Sequence, residues 1–197
     1  MIIKGVLFDF DGTLTLPGAL DFPAIKERLG CPPDEPVLEY LETQPATRRV
    51  ELTKILEEIE GDAAETSRPN NGAEKCLSSL KKKGFLLGIL TRNRLSSVER
   101  ALEKFDGISI RDFAAVVTRE VSLPKPNPEG VFKAAREMGL LPEELLVVGD
   151  FRFDVMAGKA AGAKTVFLTN DGRSLMSQGD PEPDYTFSYL EELLEIL

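Results

Sequence analysis

The sequence predicts an α/β fold, a Rossmann-like three-layer arrangement of a parallel sheet with helices on both faces, interrupted near its start by a small all-helical insert. Three observations carry this. The chain opens with an apolar run, Ile2, Ile3, Val6, Leu7 and Phe8, of the length and character of a buried strand. From Ala73 onward, helical and strand patterns alternate to the end, as in parallel sheets with crossover helices. Between Pro17 and Asn71 no strand signal occurs.

The first strand ends in Asp9-Phe10-Asp11-Gly12-Thr13. On a strand the i, i+2 spacing places both carboxylates on one face. Gly12 then supplies the sharp turn that a Cβ would hinder. Two acids at a buried strand end are costly unless a cation or a proton separates them. A turn with solvated acids is the plain alternative, but it fits poorly after a hydrophobic strand. A calcium loop of the EF-hand type fails, because its twelfth position would be Leu20 rather than a glutamate.

Leu16-Pro17-Gly18 marks a turn, and Asp21 caps a helix ending near Gly30, with Ile25 and Leu29 one turn apart. A second helix spans 34–44, and a third runs from about Ala46 to Glu65 with Leu52, Ile55, Leu56, Ile59 and Ala63 along one stripe. Residues 68–72 form a linker. This insert holds six basic and twelve acidic residues, net −6 of the chain's −9. Beyond it the pattern predicts helices over 73–83, 95–105, 128–138, 153–161 and 189–197. Strands are expected over 85–90, 113–117, 145–148, 164–168 and 185–188. Gly84 stops the first of these helices, and Pro128 suits the first turn of the third.

At 197 residues, with 42% hydrophobic and 29% charged residues, the chain has ample material for one core and an insert. The net charge disfavours a nucleic-acid partner. No apolar run is long enough to span a bilayer, so no membrane partner is expected. Cys31 and Cys76 are far apart and form no metal-type cluster, which predicts reduced core thiols in a cytoplasmic protein. The chain has no histidine, so histidine catalysis and ligation are excluded.

In parallel sheets ligands bind beyond the carboxyl ends of the strands. Polar residues fall at four such ends: Asp9 and Asp11, then Thr91, then Lys125, then Asp150 and Asp154. Each has a bland reading alone, as a helix cap or a solvated side chain. Four strand ends each supplying one make coincidence a poor account.

On these residues the chain resembles the haloacid dehalogenase superfamily of phosphohydrolases. Asp9-Phe10-Asp11-Gly12-Thr13 looks like its first motif, Thr91 its second, Lys125-Pro126 its third, and Gly149-Asp150-Phe151-Arg152-Phe153-Asp154 its fourth. Phe151 stands where relatives often carry a small polar residue. The insert looks like the helical cap of the phosphoglycolate phosphatase and β-phosphoglucomutase branch, though short. The resemblance implies a sheet order of 3-2-1-4-5, a core domain over 1–16 and 72–197, and a cap domain over 17–71.

It also implies a Mg²⁺ held by Asp9, Asp150 and the Asp11 backbone carbonyl, with Asp154 orienting the metal site or binding it. Asp9 is then the nucleophile that forms an aspartyl-phosphate, and Asp11 the acid and base. Thr91 and Lys125 bind the phosphoryl group, with Arg92 and Asn93 beside them. The expected substrate is a small phosphate ester, and the expected assembly a monomer or homodimer. Arg48 and Arg49, adjacent cations in an acidic insert, are candidates for an anionic substrate tail against the plainer reading of a solvated helix face. A β-phosphoglucomutase-like mutase is the alternative within the class. A receiver-type phosphoacceptor is the alternative outside it, disfavoured by the insert and by Asp11. A dehalogenase lacks an acid at the position of Asp11.

Overall fold

The protein is described here from a computed structural model covering residues 2–170, 172 and 176–197. Six strands, β1 (Gly5–Phe8), β2 (Leu86–Leu90), β3 (Ala115–Val117), β4 (Leu145–Gly149), β5 (Lys164–Leu168) and β6 (Tyr185–Phe187), form one sheet in the order β3-β2-β1-β4-β5-β6. Every pairing is parallel. β1 therefore sits between β2 and β4, where both its neighbours and both its faces exclude water. That position explains a strand made only of small and apolar residues, all of them buried.

The period of two along β1 sorts the core. Val6 and Phe8 pack with Leu77, Leu80, Val98, Leu102 and Leu193 on one face. Leu7 packs with Val131, Ala134, Ala135, Ala157 and Ala161 on the other. The first face is covered by α4 (Ala73–Lys82), α5 (Leu95–Leu102) and α8 (Leu193–Ile196), the second by α6 (Glu129–Met138) and α7 (Arg152–Ala161). The alanines of α6 and α7 let these helices approach the sheet closely.

Between β1 and α4 lie α1 (Phe22–Leu29), α2 (Val37–Thr43) and α3 (Ala46–Thr66). Asp21 caps α1 by accepting the Ala24 N–H at 3.1 Å, and Gly30 ends it in the left-handed region at φ 69°. Ile25, Leu29, Val37, Leu41, Leu52 and Leu56 give this segment an apolar cluster of its own. Its two ends meet in a short antiparallel bridge between Thr15 and Pro69. Leu16 N donates to Arg68 O and Asn70 N to Leu14 O, at 2.9 and 2.8 Å.

The expected terminal helix is shorter than its pattern. Glu192 accepts the N–H groups of Ser188 and Tyr189 at 2.7 and 2.8 Å, so 190–192 form a tight turn and only α8 is regular helix. Among the described residues no helix is long and apolar enough to cross a membrane.

The sixth strand is fastened by one side chain. Asp184 accepts from Lys159 at 2.8 Å, from Lys164 at 2.7 Å and from the Thr165 N–H at 2.9 Å. Burial alone would raise its pKa, but the two lysines and the backbone N–H outweigh burial and hold the carboxyl well below the usual range. The stabilisation is present above the ordinary carboxylate pKa of about 4 and is lost as pH falls through the lower folded value. Asp184→Ala should cost about 1–3 kcal/mol at pH 7. In urea unfolding monitored by circular dichroism, the gap between variant and parent should shrink in strongly acidic buffer.

Candidate active site

The regular part of β1 stops at Phe8, yet the Asp9 N–H still donates to Val148 O at 2.8 Å. The backbone then enters one wide turn over Phe10–Leu14, broken at Asp11 (φ −78°, ψ 117°) and at Gly12 (φ 83°). Asp9 and Asp11 therefore do not lie on one strand face, as their spacing alone would have it. The turn sends Asp9 toward Lys125 and Asp11 toward Asn93. Gly12 is required twice over: its φ is left-handed, and a Cβ there would lie 2.3 Å from Asp150 Oδ2.

Lys125 joins the strand ends. Its buried ammonium donates to Asp9 Oδ1, to Asp154 Oδ1 and, at 2.7 Å, to the Leu90 carbonyl. Burial opposes its charge, but Asp154 and Asp9 outweigh burial and raise its pKa. Asp154 stands in the first turn of α7, where its other oxygen accepts the Phe151 N–H at 3.1 Å. Gly149 makes room for it, since a Cβ there would sit 2.1 Å from Asp154 Cγ. Asp150 accepts from the Thr13 hydroxyl at 3.3 Å.

One oxygen from each of Asp9, Asp150 and Asp154 lies within 4.8 Å of the others. Burial first, and then the charges of Asp9 and Asp154, push Asp150 to about 8. Burial and Asp9 push Asp154 to about 6 against the pull of Lys125. The cluster thus holds more negative charge than its one ammonium compensates, on oxygen donors only. That donor set fits a hard divalent cation.

Asp11 accepts from Asn93 Nδ2 at 3.2 Å. Burial, reinforced by the charge of Asp9, raises its pKa to about 7. Thr91 is buried, and its Oγ1 accepts the Asn93 N–H at 3.0 Å. Arg92, between them, does not point freely into the site. It forms a two-point contact with Glu39 of α2, at 2.9 and 2.5 Å, and also donates to the Lys125 carbonyl. Of the two insert arginines, Arg49 pairs with Glu42 at 2.8 Å. Arg48 is exposed, with Nη2 3.7 Å from the place a Cβ on Gly30 would take. Among the described residues neither forms an ion pair with Asp9, Asp11, Asp150 or Asp154.

A family model of haloacid dehalogenase-like hydrolases matches residues 17–168. The chain belongs to that family. An uncharacterized hydrolase of Saccharomyces cerevisiae is 31% identical over 99% of this chain and 91% of its own length. A putative pyrophosphatase PpaX of Clostridium perfringens is 31% identical over the whole of this chain and 96% of its own. Among solved structures, a predicted phosphoglycolate phosphatase from Haemophilus somnus shares the fold, with a TM-score of 0.74, 23% identity, and coverage of 98% and 97% of the two chains. The protein is therefore a hydrolase of the haloacid dehalogenase-like family, with that family's parallel sheet.

Several residues at the site carry no local signal in sequence. Asn70 Nδ2 donates to Thr13 O at 2.8 Å and to Asn170 Oδ1 at 3.1 Å, and Asn170 donates to Gly12 O at 2.6 Å. These two asparagines hold the turn that carries Asp11. Glu60 of α3 is buried and forms a two-point ion pair with Arg119, which also donates to Arg92 O at 3.3 Å. Burial raises the Glu60 pKa against the pull of Arg119. α3 is thus clamped to the residues that follow β2 and β3. Arg119→Ala would strand a buried carboxylate and should cost about 3–5 kcal/mol. Glu60→Gln combined with Arg119→Ala should recover part of that loss in the same urea titration, because no unpaired charge remains.

Proposed function

We propose that this hydrolase is a Mg²⁺-dependent phosphatase of small phosphorylated metabolites, acting through an aspartyl-phosphate on Asp9. The observation that carries the reading is the convergence of Asp9, Asp150, Asp154 and Lys125, with Asp11 beside them on its own support. In this reading Asp9, Asp150 and the Asp11 backbone carbonyl would hold the Mg²⁺, with Asp154 orienting the metal site or binding it. When bound, the ion offsets the negative charge of substrate and site.

Asp9 attacks phosphorus in line with the ester oxygen, and the phosphorus–oxygen bond to the leaving group breaks. Asp11, which burial and Asp9 keep protonated to unusually high pH, gives its proton to the departing oxygen. Asp11 then accepts a proton from the water that attacks the phosphoaspartate, which releases phosphate and restores Asp9. Lys125 stabilises charge on the phosphoryl oxygens, and Thr91 lies beside it at the end of β2. The three helices over residues 17–71 act as a cap that excludes bulk water and limits the size of the leaving group. The names of the pyrophosphatase and phosphoglycolate phosphatase relatives support phosphoryl hydrolysis and leave the leaving group to be determined.

With p-nitrophenyl phosphate and a panel of metabolite phosphates, Asp9→Asn should lose at least about 10³-fold in kcat while keeping the parent's circular dichroism. Asp11→Asn should be severely slowed and should accumulate a phosphoenzyme detectable by mass spectrometry. Turnover within a few-fold of the parent in either variant would remove that aspartate from the mechanism. Chelation should abolish activity, Mg²⁺ should restore it, and Ca²⁺ should inhibit, since its looser coordination misplaces the phosphoryl group. Full activity in chelator would overturn the metal assignment.

A further inference from the structure

The arginines that follow the strand ends are met by glutamates from the helical insert. Arg92 pairs with Glu39, Arg94 with Glu57 at 3.0 Å, and Arg119 with Glu60. Glu39 is the most open of the three acids, with 41% of its side chain exposed against 35% for Glu57 and 7% for Glu60. Arg92 lies between Thr91 and Asn93 in the chain, and its guanidinium reaches the carbonyl of Lys125. It is held on several sides: Glu39 takes both terminal nitrogens, the Lys125 carbonyl takes one of them, and the Phe153 ring lies 5.1 Å from the guanidinium carbon. Lys125 is already matched by Asp9 and Asp154.

We infer that the leaving group of the substrate is uncharged, such as a hydroxylated carbon chain, and that Glu39 is the residue that rejects a leaving group carrying a carboxylate or a second phosphate. The inference rests on the phosphatase reading above and narrows its substrate class. An anionic tail seeking Arg92 must displace Glu39. The displaced carboxylate then stays beside the incoming charge, in an insert whose net charge is −6. The pair is partly shielded from water, Arg92 at 22% and Glu39 at 41% exposed, so that repulsion is screened less than at an open surface. A hydroxyl tail meets no such repulsion, and its donors can bond to Glu39 while Arg92 keeps its partners. Like charges placed together are a common device for excluding a wrong ligand.

Two esters test this, glycerol 3-phosphate and 3-phosphoglycerate, which differ at the far carbon as hydroxymethyl against carboxylate. The readout is the ratio of their kcat/KM values with Mg²⁺, which does not depend on the fraction of active enzyme. The parent should favour glycerol 3-phosphate at least tenfold. Glu39→Gln, which keeps the shape and removes the charge, should lower that ratio at least fivefold, and Glu39→Asp should retain it. A parent ratio under tenfold, a ratio unmoved by Glu39→Gln, or hydrolysis of neither ester while p-nitrophenyl phosphate is turned over would overturn the role of Glu39. Failure of the parent on all three compounds would instead overturn the phosphatase reading, and this inference with it.

Discussion

The structure depends on one buried ammonium. Lys125 has three protons to donate, and Asp9, Asp154 and the Leu90 carbonyl take them. Through them it ties together the ends of β1 and β2, the first turn of α7 and its own loop. A lysine with no surface to reach is tolerable only because every proton is accepted and two acceptors are charged. Yet one ammonium among Asp9, Asp11, Asp150 and Asp154 leaves negative charge in excess. The raised pKa values of Asp11 and Asp150 follow from burial first and then from that excess. A site so built has two ways to settle, proton uptake or a second cation. The oxygen-only cluster is placed for the second.

Such crowding constrains the backbone as much as the side chains. Gly149 ends β4 where the Asp154 carboxyl must pass, and Gly12 turns under Asp150. At each place a methyl group would occupy the volume of a carboxylate. Asn70 and Asn170 stabilise the turn from outside by donating to its Thr13 and Gly12 carbonyls, and Asn70 also donates to Asn170. The acid at Asp11 is therefore positioned by residues about sixty and one hundred and sixty places away in the chain, as well as by its own turn.

That distance decides what sequence could reveal. The strands were legible because β1 and β4 are buried on both faces and read as unbroken apolar runs. Asp9, Thr91 and Asp150 were legible because each ends such a run. The relation of Asp9 to Asp11 was not, since alternation applies only while the strand continues and this one ends at Phe8. Glu60 was also hidden. It lies on a 21-residue helix with acids on several sides, and its ion-pair partner is Arg119, a residue with no pattern of its own. Arg48 and Arg49 drew attention as adjacent cations, yet Arg49 answers Glu42 on the neighbouring helix and Arg48 is exposed.

The acidity of the insert accordingly has a local meaning that net charge conceals. Glu39, Glu57, Glu60 and Glu65 face Arg92, Arg94, Arg119 and Arg100, so part of the −6 is matched across a seam rather than presented to solvent. These four pairs are not equal. Arg100 and Glu65 are about half exposed, and such pairs contribute little, whereas Glu60 and Arg119 are nearly enclosed and cannot part without a large penalty. The seam is firmest at Glu60 and Arg119 and looser on either side, at Glu65 near the end of α3 and at Glu39 on α2. Of these two looser pairs, Glu39 with Arg92 is the one beside Thr91 and Asn93, since Arg92 lies between them in the chain. On the inference drawn for Glu39, the carboxylate that joins α2 to the seam there is also the one that sorts leaving groups by charge.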